Sequence, residues 1–530
     1  MRLSEAFQTE VISVVGRDAF ELRQDPLREW TTNTLDSPRT LTGIVKPKSQ
    51  EETMAVVRLC VKHKVPYYPV SSGKNWGYGG ATPVCDDVLI LDLSGLKRII
   101  EFNADLSYVV VEPGVTQQDL YEYMQLRNHS FMVPTTGAGP NVSLMGNAME
   151  RGYGITPEED HFLSVLALKA ILPDGRLYQS ALSELGGAYS DKVFKWKIGP
   201  YLDGLFAQSN LGVVLEATLG LVHQPENVTQ FVVFLDDEEF ETGVHAVKTL
   251  RQKLGGLLGG VNLMNKRRLL AMVDDQWSQE KTLDEIRVIE HAKKNGVPDW
   301  AIVGALYGPN DLVQGANRII KTECRHFSRK VVCLSRRKYE WANRLLKHLP
   351  FKKLKMQLAN VGRALEILEG KPSNVALPLA YLKNKKGHPV GELNPDKDDC
   401  GLLWFSPLVP MDAPVVRDYV QEVTEICLAH EIDPMITLTA FSSRCFDSTI
   451  PILFSKQVAG DAENAKKCYE KLLKECSRMG FFPYRLNIDQ MNGLFENPNV
   501  PAFWMAQQIK NALDPDHLMA PGRYIHHRKP

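Results

Sequence analysis

Residues 66–83, PYYPVSSGKNWGYGGATP, place a glycine-rich loop directly after an apolar, tyrosine-rich run. The run stops at Val70, and the next ten residues contain two serines, a lysine, an asparagine and four glycines. A strand cannot continue through this composition, so the segment predicts a tight loop that exposes its backbone N–H groups. Successive N–H groups in such a loop suit the binding of phosphate groups.

A second glycine-rich segment lies at residues 134–154. Neither segment has the GxGxxG dinucleotide fingerprint, and no Walker-type lysine motif is present. Two separate glycine-rich loops on a strand–helix scaffold suit an extended cofactor with a pyrophosphate group. Two tight turns between strands are the alternative, and the spacing alone leaves both interpretations open.

Length, charge and cysteine usage exclude several classes of protein. A chain of 530 residues is long enough for two or three domains, and its net charge of -1 gives no indication of a nucleic-acid partner. It has no apolar run of about 18 residues, and Glu5 and Glu10 interrupt the N-terminal segment, so neither a membrane span nor a signal peptide is expected. Nine cysteines without a CxxC pair or zinc-type spacing predict reduced thiols, no metal site and a cytoplasmic location.

The first third of the chain alternates strand and helix signals. Ser49 and Glu52 form a capping-box pattern ahead of one amphipathic helix, and Thr116 is a candidate N-cap of another. Two β-branched runs on either side of residues 103–105 predict a hairpin, and the Pro-Asp-Gly turn at residues 173–175 predicts a second.

The middle of the chain, residues 227–481, has longer helical patterns. The GGLLGG sequence at residues 255–260 is interpreted as the end of a helix, and the polar segment at residues 383–399 predicts an insertion or a mobile lid. Residues 482–530 form a final stretch.

Eight segments resemble those of one protein family, in the same order along the chain from near Thr42 to near Arg523. They are VSSGKNWGYGGATP, VVVEPGVTQQDLYEYM, GNAMERGYGITPEEDHF, GPYLDGLFAQSNLGVV, GALYGP, WFSPLVP, PYRLNIDQM and DPDHLMAPGR. On these motifs the chain resembles the vanillyl-alcohol oxidase / p-cresol methylhydroxylase (PCMH) flavoproteins. The resemblance implies an α+β fold with a two-part PCMH-type FAD-binding domain, residues 1–226 and 482–530, and an α+β cap domain, residues 227–481, over the flavin.

The resemblance also implies one FAD per chain and assigns its binding residues. The first loop matches the pyrophosphate loop, a second group matches the loop along the ribityl chain, and a third faces the adenine. The expected FAD-binding residues are Val70, Ser71, Ser72, Gly73, Lys74, Asn75, Trp76, Ser143, Gly146, Asn147, Gly152, His161, Gly212, Val213, Val214 and Arg523.

Tyr78 lies in the first glycine-rich loop, and Tyr484 and Arg485 lie in the PYR motif near the C-terminus. The resemblance implies that this trio binds the phenolic oxygen of a 4-alkylphenol, where two phenol donors and a guanidinium would stabilise the phenolate. The phenolate pushes electron density to the para carbon, so hydride leaves the benzylic carbon for flavin N5 and a quinone methide forms. Taken singly, the residues also fit a surface tyrosine in a turn and a buried Tyr–Arg hydrogen bond.

Asp160 is the fourth expected catalytic residue. It lies in the EEDHF segment, which matches the place where oxidase members carry an acid near flavin N5. We expect Phe162 and the apolar strand after it to draw Asp160 inward, where it would raise the flavin's redox potential or protonate the quinone methide. The alternative is a solvated acid in a run with Glu158 and Glu159.

The chain departs from the family pattern in the cap. Asp447 and Ser448 stand where family members usually carry a histidine pair after an arginine, and Trp76 is bulkier than the pattern suggests. Leu402 occupies the position of the histidine to which oxidase members link FAD, and leucine cannot form that bond. We therefore expect non-covalent FAD.

Two residues offer alternative covalent attachment points. Tyr381 lies near the place where hydroxylase members carry a linking tyrosine, and Cys400 is a nearby nucleophile in principle. Tyr381 is the first alternative to non-covalent binding.

The resulting prediction is an FAD-dependent oxidase or dehydrogenase that takes hydride from the benzylic carbon of a para-substituted phenol. The alternative substrate is a non-phenolic alcohol or a larger natural-product intermediate, which Asp447 and Trp76 would suit. A flavin-binding protein without turnover is the third hypothesis, and it leaves the Tyr78, Tyr484 and Arg485 trio without a use.

The expected partners are an aromatic small molecule, oxygen or a protein as electron acceptor, and a second copy of the chain in a homodimer or higher oligomer. No nucleic acid and no membrane is expected as a partner.

Overall fold

The computed structural model describes residues 2–22, 28–187, 189–273, 284–346, 352–387, 389, 391–491 and 499–525. Within these residues the chain forms an α+β structure with three main sheets.

The N-terminal part of the chain, up to Gly220, contains two of these sheets. The first has the order β1-β2-β4-β3, with β2, β4 and β3 parallel and β1 antiparallel at one edge. Its strands are β1 (Phe20–Leu22), β2 (Leu41–Val45), β3 (Tyr67–Val70) and β4 (Val88–Asp92). The second is antiparallel, with the order β5-β6-β10-β8-β9. Its strands are β5 (Ile99–Asn103), β6 (Tyr108–Val111), β8 (Val165–Ile171), β9 (Leu177–Gln179) and β10 (Val213–Gly220), and a separate pair joins β7 (Phe131–Met132) to β11 (Val222–His223).

The middle region forms an eight-stranded antiparallel sheet, which the helical patterns of its sequence did not predict. Its order is β15-β12-β14-β13-β18-β19-β16, and β17 pairs with the first part of the long strand β19. The strands are β12 (Asn227–Leu235), β13 (Leu258–Asn265), β14 (Trp300–Gly308), β15 (Lys330–Ser335), β16 (Cys400–Phe405), β17 (Leu408–Pro410), β18 (Thr437–Ala440) and β19 (Cys445–Ser455).

Helices cover the sheets and connect their strands. In the N-terminal third they are α1 (Glu5–Val15), α2 (Arg28–Thr31), α3 (Gln50–His63), α4 (Gln117–Leu126), α5 (Leu144–Met149) and α6 (Ala181–Glu184). The remainder are α7 (Phe240–Leu254), α8 (Lys266–Val273), α9 (Glu285–Asn295), α10 (Asn310–Cys324), α11 (Arg336–Leu346), α12 (Lys352–Leu368), α13 (Ala413–Ala429), α14 (Asp461–Arg478) and α15 (Pro501–Leu513). None of the helices in the described ranges is both long and apolar enough to cross a membrane.

The helix caps follow the local sequence closely. Thr116 and Asp119 form a complete capping box at the start of α4. Ser49 caps α3 by accepting from the Glu52 N–H, but the Glu52 carboxylate accepts from the Lys48 N–H rather than from that of Ser49. Both predicted hairpins form, between β5 and β6 and between β8 and β9.

The C-terminal segment returns to the first sheet beside the glycine-rich loop. The Tyr67 N–H donates to the Leu518 carbonyl (2.9 Å), and the Ala520 N–H donates to the Tyr67 carbonyl (2.7 Å). The buried Lys510 ammonium anchors this return, because it donates to the carbonyls of Asn210 (2.7 Å) and Met519 (2.9 Å). Residues far apart in sequence therefore meet at the start of β3.

The polar segment predicted as an insertion or lid packs onto the body of the protein where it is described. The buried Asp396 accepts from the Thr34 N–H at 2.7 Å, and the Glu392 carboxylate accepts from the Asn141 amide at 2.7 Å. His388 and Val390 of this segment lie outside the described residues.

Candidate active site

A cavity of about 1310 Å³ lies between the two glycine-rich loops, one face of the eight-stranded sheet and the C-terminal return. Pockets for one drug-sized ligand are typically ~300–1,000 Å³, so this cavity has room for a large cofactor and a second molecule. All but two of the residues expected to bind FAD line it, and so do Tyr78, Tyr484 and Arg485.

The first glycine-rich loop follows β3 and turns its backbone toward the cavity. The N–H groups of Tyr78 and Gly80 both donate to the Asn75 carbonyl, which closes the loop. Within the described part of the chain, the N–H groups of residues 72–76 donate to no protein acceptor. Five successive free N–H groups at the end of a buried strand, lining a cavity, form a site for an anion such as a diphosphate.

The two loops are joined by direct hydrogen bonds. The Ser72 hydroxyl accepts from the Ser143 N–H at 2.9 Å, and the Ser143 hydroxyl donates to the Pro113 carbonyl at 2.6 Å. A Cβ at Gly146 would lie 2.4 Å from the Ser71 hydroxyl, so a larger residue would force that hydroxyl to move. The two loops therefore form one continuous wall of the cavity.

Asn147 lines the cavity and is held from behind by His161. Its amide donates to His161 Nδ1 at 2.6 Å. Burial lowers the pKa of His161 to about 4, so the ring is neutral at neutral pH and can accept this hydrogen bond. His161 itself does not line the cavity, and its part in the site is to position Asn147.

Val213 is the second expected FAD residue outside the cavity wall. It is buried in the main core, while Gly212 and Val214 line the cavity. The alternation of side chains along β10 explains the difference, because successive residues of a strand point to opposite faces.

Arg485 connects the glycine-rich loop to the expected substrate end of the cavity. Its guanidinium carbon lies 4.3 Å from the centre of the Tyr78 ring, and it donates to the Asn75 side chain. Its Nε lies 3.6 Å from the Glu150 carboxylate, which also pairs with Arg523. The structure thus brings Arg485 and Tyr78 into direct contact across 407 positions of sequence.

The tyrosine hydroxyls at this end of the cavity are neutral donors. Burial raises the pKa of Tyr78 to about 12, although Arg485 lowers it in part, and the hydroxyl hydrogen-bonds to Ser406 at 3.0 Å. Burial raises the pKa of Tyr484 well above its ordinary value. Both side chains are therefore protonated at neutral pH and can donate to an anionic oxygen.

Tyr153 joins this group, although it was not among the residues expected from the sequence. Its ring lies 6.0 Å from that of Tyr484, and its hydroxyl hydrogen-bonds to Thr449 at 2.9 Å. The signal was present, because Tyr153 is flanked by Gly152 and Gly154 as Tyr78 is flanked by glycines.

Asp447 is a fully buried acid directly behind these tyrosines. Burial raises its pKa to about 7, while the nearby Tyr153 hydroxyl and Arg485 lower it in part. Among the described residues no hydrogen bond of good geometry reaches either carboxylate oxygen. A carboxyl in this setting holds a proton at slightly acidic pH and releases it just above neutral pH.

Asp160 lies outside the cavity, contrary to the inward position expected from the sequence. It is exposed, and its carboxylate accepts from the Leu163 N–H at 3.0 Å. The acid that turns inward is Glu159, whose carboxylate pairs with Arg251 at 2.7 Å. Arg251 accounts for the difference, because its guanidinium forms a buried ion pair with Glu159 and not with Asp160.

The alternative FAD attachment points also lie off the cavity wall. The Tyr381 hydroxyl donates to Asp398 at 2.5 Å, and burial raises the pKa of the Cys400 thiol to about 12. Leu402 and Trp404 line the cavity instead, because alternate residues of β16 face it.

Comparison with known proteins gives a consistent result. The FAD binding domain family matches residues 41–180. The chain is 32% identical over 504 residues to the 1'-carboxy-chondrochloren decarboxylase of Chondromyces crocatus, covering 93% of this chain and 92% of that protein. It is 26% identical over 481 residues to the 4-cresol dehydrogenase flavoprotein subunit of Pseudomonas putida, covering 89% and 85%.

Solved structures show the same fold along the whole chain. The crystal structure of p-cresol methylhydroxylase with bound substrate superposes with a TM-score of 0.85 at 23% identity, covering 99% of this chain and 98% of that one. The 4-ethylphenol oxidase of Gulosibacter chungangensis superposes with a TM-score of 0.87 at 20% identity and the same coverage.

The free N–H groups of the first loop and the size of the cavity fit FAD as the cofactor of this fold. The extent of the match to the decarboxylase, together with the fold, assigns the family. The chain belongs to the PCMH-type family of FAD-dependent oxidoreductases.

Proposed function

We propose that this protein removes hydride from the benzylic carbon of a para-substituted phenol. The observation that carries the proposal is the cluster of Tyr78, Tyr484 and Arg485 on the wall of the cavity that the FAD loops also line. Two neutral hydroxyl donors and a guanidinium converge there, which is the donor set that stabilises a phenolate.

The residues of the cluster have two roles, which are hydrogen bonding to the substrate and electrostatic stabilisation of the phenolate. Tyr78 and Tyr484 donate hydrogen bonds to the phenolic oxygen, and Arg485 supplies positive charge that Glu150 holds in place. Stabilising the phenolate places electron density at the para carbon, so that hydride can depart from the benzylic carbon attached to it. When bound, FAD supplies the acceptor for that hydride.

Asp447 is the acid–base group of this proposal. Its carboxyl, whose pKa is about 7, lies behind the cavity wall beside Tyr153, so it would take the phenol proton through the Tyr153 hydroxyl and return a proton later. It takes the place that we had expected Asp160 to fill.

We also propose that residues 1–226 and 482–530 form the FAD-binding domain and that residues 227–481 form the cap. The hydrogen bonds between Tyr67 and the segment around Leu518 support the first part. The sheet that spans Asn227–Ser455 and faces the cavity supports the second.

A second candidate reaction adds loss of carbon dioxide, and the 32% identity to a decarboxylase favours it. If the carbon next to the benzylic carbon carries a carboxylate, hydride removal gives the quinone methide. The bond to the carboxylate then breaks, CO2 leaves, and its electron pair restores the phenol as a 4-alkenylphenol. FAD takes up the two electrons of this oxidation.

An anaerobic substrate comparison tests the proposal. We expect 4-alkylphenols to bleach the flavin of the purified protein, while benzyl alcohols without a phenolic hydroxyl leave it oxidised. Bleaching by the non-phenolic alcohols alone would support the alternative substrate class, and release of CO2 from a carboxylated phenol would identify the second reaction.

FAD is expected to be bound without a covalent bond. Leu402 has no nucleophile, the Tyr381 hydroxyl is engaged by Asp398, and the Cys400 thiol is protonated at neutral pH. Precipitation with acid should therefore leave the flavin in the supernatant. A yellow pellet would contradict this prediction, and peptide mapping would then identify the attachment residue.

A further inference from the structure

Helix α8 begins with three consecutive cationic residues, and they differ in whether an acidic side chain pairs with them. Lys266 pairs with Asp299 at 2.6 Å, and Arg267 pairs with Asp433 at 3.0 Å. Arg268 turns to the cavity, and in the described ranges no acid or hydrogen-bond acceptor contacts its side chain. The acids near the start of α8 therefore neutralise its neighbours and leave Arg268 free.

Three other cations on the cavity wall, Lys74, Arg485 and Arg523, have acidic partners. Lys74 lies 3.7 Å from Glu392, and Arg485 and Arg523 share Glu150. Burial lowers the pKa of Arg268 to about 10, so it still carries its charge at neutral pH. The side chain is half-buried, and an unpaired charge that is partly removed from water is unfavourable, so such groups concentrate at binding sites.

The position of Arg268 relative to the tyrosines follows from the sheet register. Met264, Thr437 and Thr449 pair across three adjacent strands, and all three line the cavity. Two strand spacings put Thr449, which binds the Tyr153 hydroxyl, roughly 10 Å from Met264. Arg268 lies in the first turn of α8, which follows β13 directly, and this places it on the Met264 side of the cavity, away from the phenol end.

We infer that Arg268 receives a carboxylate on the side chain of the substrate, so that the substrate class is 4-hydroxyphenyl compounds with a carboxylate several bonds beyond the benzylic carbon. This inference rests on the proposed function for the position of the phenol. Arg268 is thus a specificity-determining residue, because a guanidinium binds a carboxylate through two parallel hydrogen bonds.

Binding measurements on the FAD-loaded protein test this assignment. The probes are 3-(4-hydroxyphenyl)propanoate, longer 4-hydroxyphenyl alkanoates and the matching primary amides, followed without air by calorimetry and by the flavin spectrum. Arg268→Met should weaken binding of the best carboxylate by roughly 10- to 150-fold, the effect of losing a hydrogen bond to a charged group, and leave the amide unchanged. Arg268→Lys should restore part of the loss.

Lys266→Met is the matched control, because it removes a cation from the same helix that does not line the cavity. It should keep the preference for the carboxylate. Equal binding of carboxylate and amide by the wild type, or an equal loss of both in Arg268→Met, would overturn the inference. So would loss of FAD from Arg268→Met, since that would assign the residue to the cofactor.

The two proposals fail in different ways. If no phenol reduces the flavin but carboxylates still bind through Arg268, the phenol oxidation is wrong and the carboxylate site stands. If neutral 4-alkylphenols reduce the flavin and a carboxylate adds nothing to binding, the oxidation stands and the role of Arg268 is wrong.

Discussion

Arg485→Ala is expected to cost about 2–5 kcal/mol of transition-state stabilisation in flavin reduction by a para-substituted phenol. The side chain contacts the Tyr78 ring, the Asn75 side chain and the Glu150 carboxylate, so its loss removes the positive charge at the phenol end and leaves one arginine on Glu150. The measurement is kcat/KM for flavin reduction without air, at matched FAD content.

Tyr484→Phe is expected to reduce transition-state stabilisation less than Arg485→Ala does. It removes one neutral donor and keeps the ring, so a smaller loss of ~1–3 kcal/mol is expected. The apparent pKa of the bound phenol should fall below that of the free phenol in the wild type and rise in Arg485→Ala. The Arg485→Ala protein could instead lose part of its FAD while the phenol reduces the remaining bound FAD at the wild-type rate. That result would show that Arg485 serves only to bind the cofactor.

Asp447→Asn is expected to change the pH dependence of both stability and activity. Burial raises the pKa of Asp447 from 3.8 to about 7, so between these pH values the folded protein holds a proton that the unfolded chain releases. The wild-type free energy of unfolding should therefore fall as pH rises through this window, by roughly 4 kcal/mol in total, and stay level above about pH 7.

The asparagine variant lacks this titration. Relative to the wild type, it should be more stable at about pH 8 than at about pH 5, as measured by thermal or denaturant unfolding of the holoprotein. The change in the rate of flavin reduction near pH 7 that the wild type should show is also expected to be absent from the variant. If the free energies of unfolding of the two proteins changed with pH in the same way, Asp447 would be ionised in the folded protein throughout this range, and the prediction would be wrong.

Local patterns in the sequence predicted the parts of the site that are built from short segments. The loop after Val70, the Thr116 N-cap and the two hairpins depend on glycine, hydroxyl and β-branched residues within a few positions, and all are present. The order of the family-like motifs predicted the fold, because it reports on the whole chain. The resemblance implied an α+β cap, but local patterns did not locate its individual strands, since their apolar residues lie beside strongly amphipathic helices.

The positions of individual acids and cations were not predictable in the same way. Asp160 and Glu159 are neighbours with the same chemistry, and the choice of which turns inward depends on Arg251, which is distant in sequence. Arg268 is distinguished from Lys266 and Arg267 only by the acids that α9 and later segments bring to its neighbours. Such distinctions arise from tertiary contacts, which local patterns in a single sequence do not reveal.

Single-turnover reduction of the flavin tests the central claim most directly. The protein is mixed without air with a 4-alkylphenol, with the same phenol deuterated at the benzylic carbon, and with its O-methyl ether. Hydride transfer from a bound phenolate predicts slower reduction by the deuterated phenol and no reduction by the ether, which cannot form a phenolate. Reduction by the ether at the rate of the phenol would contradict the account.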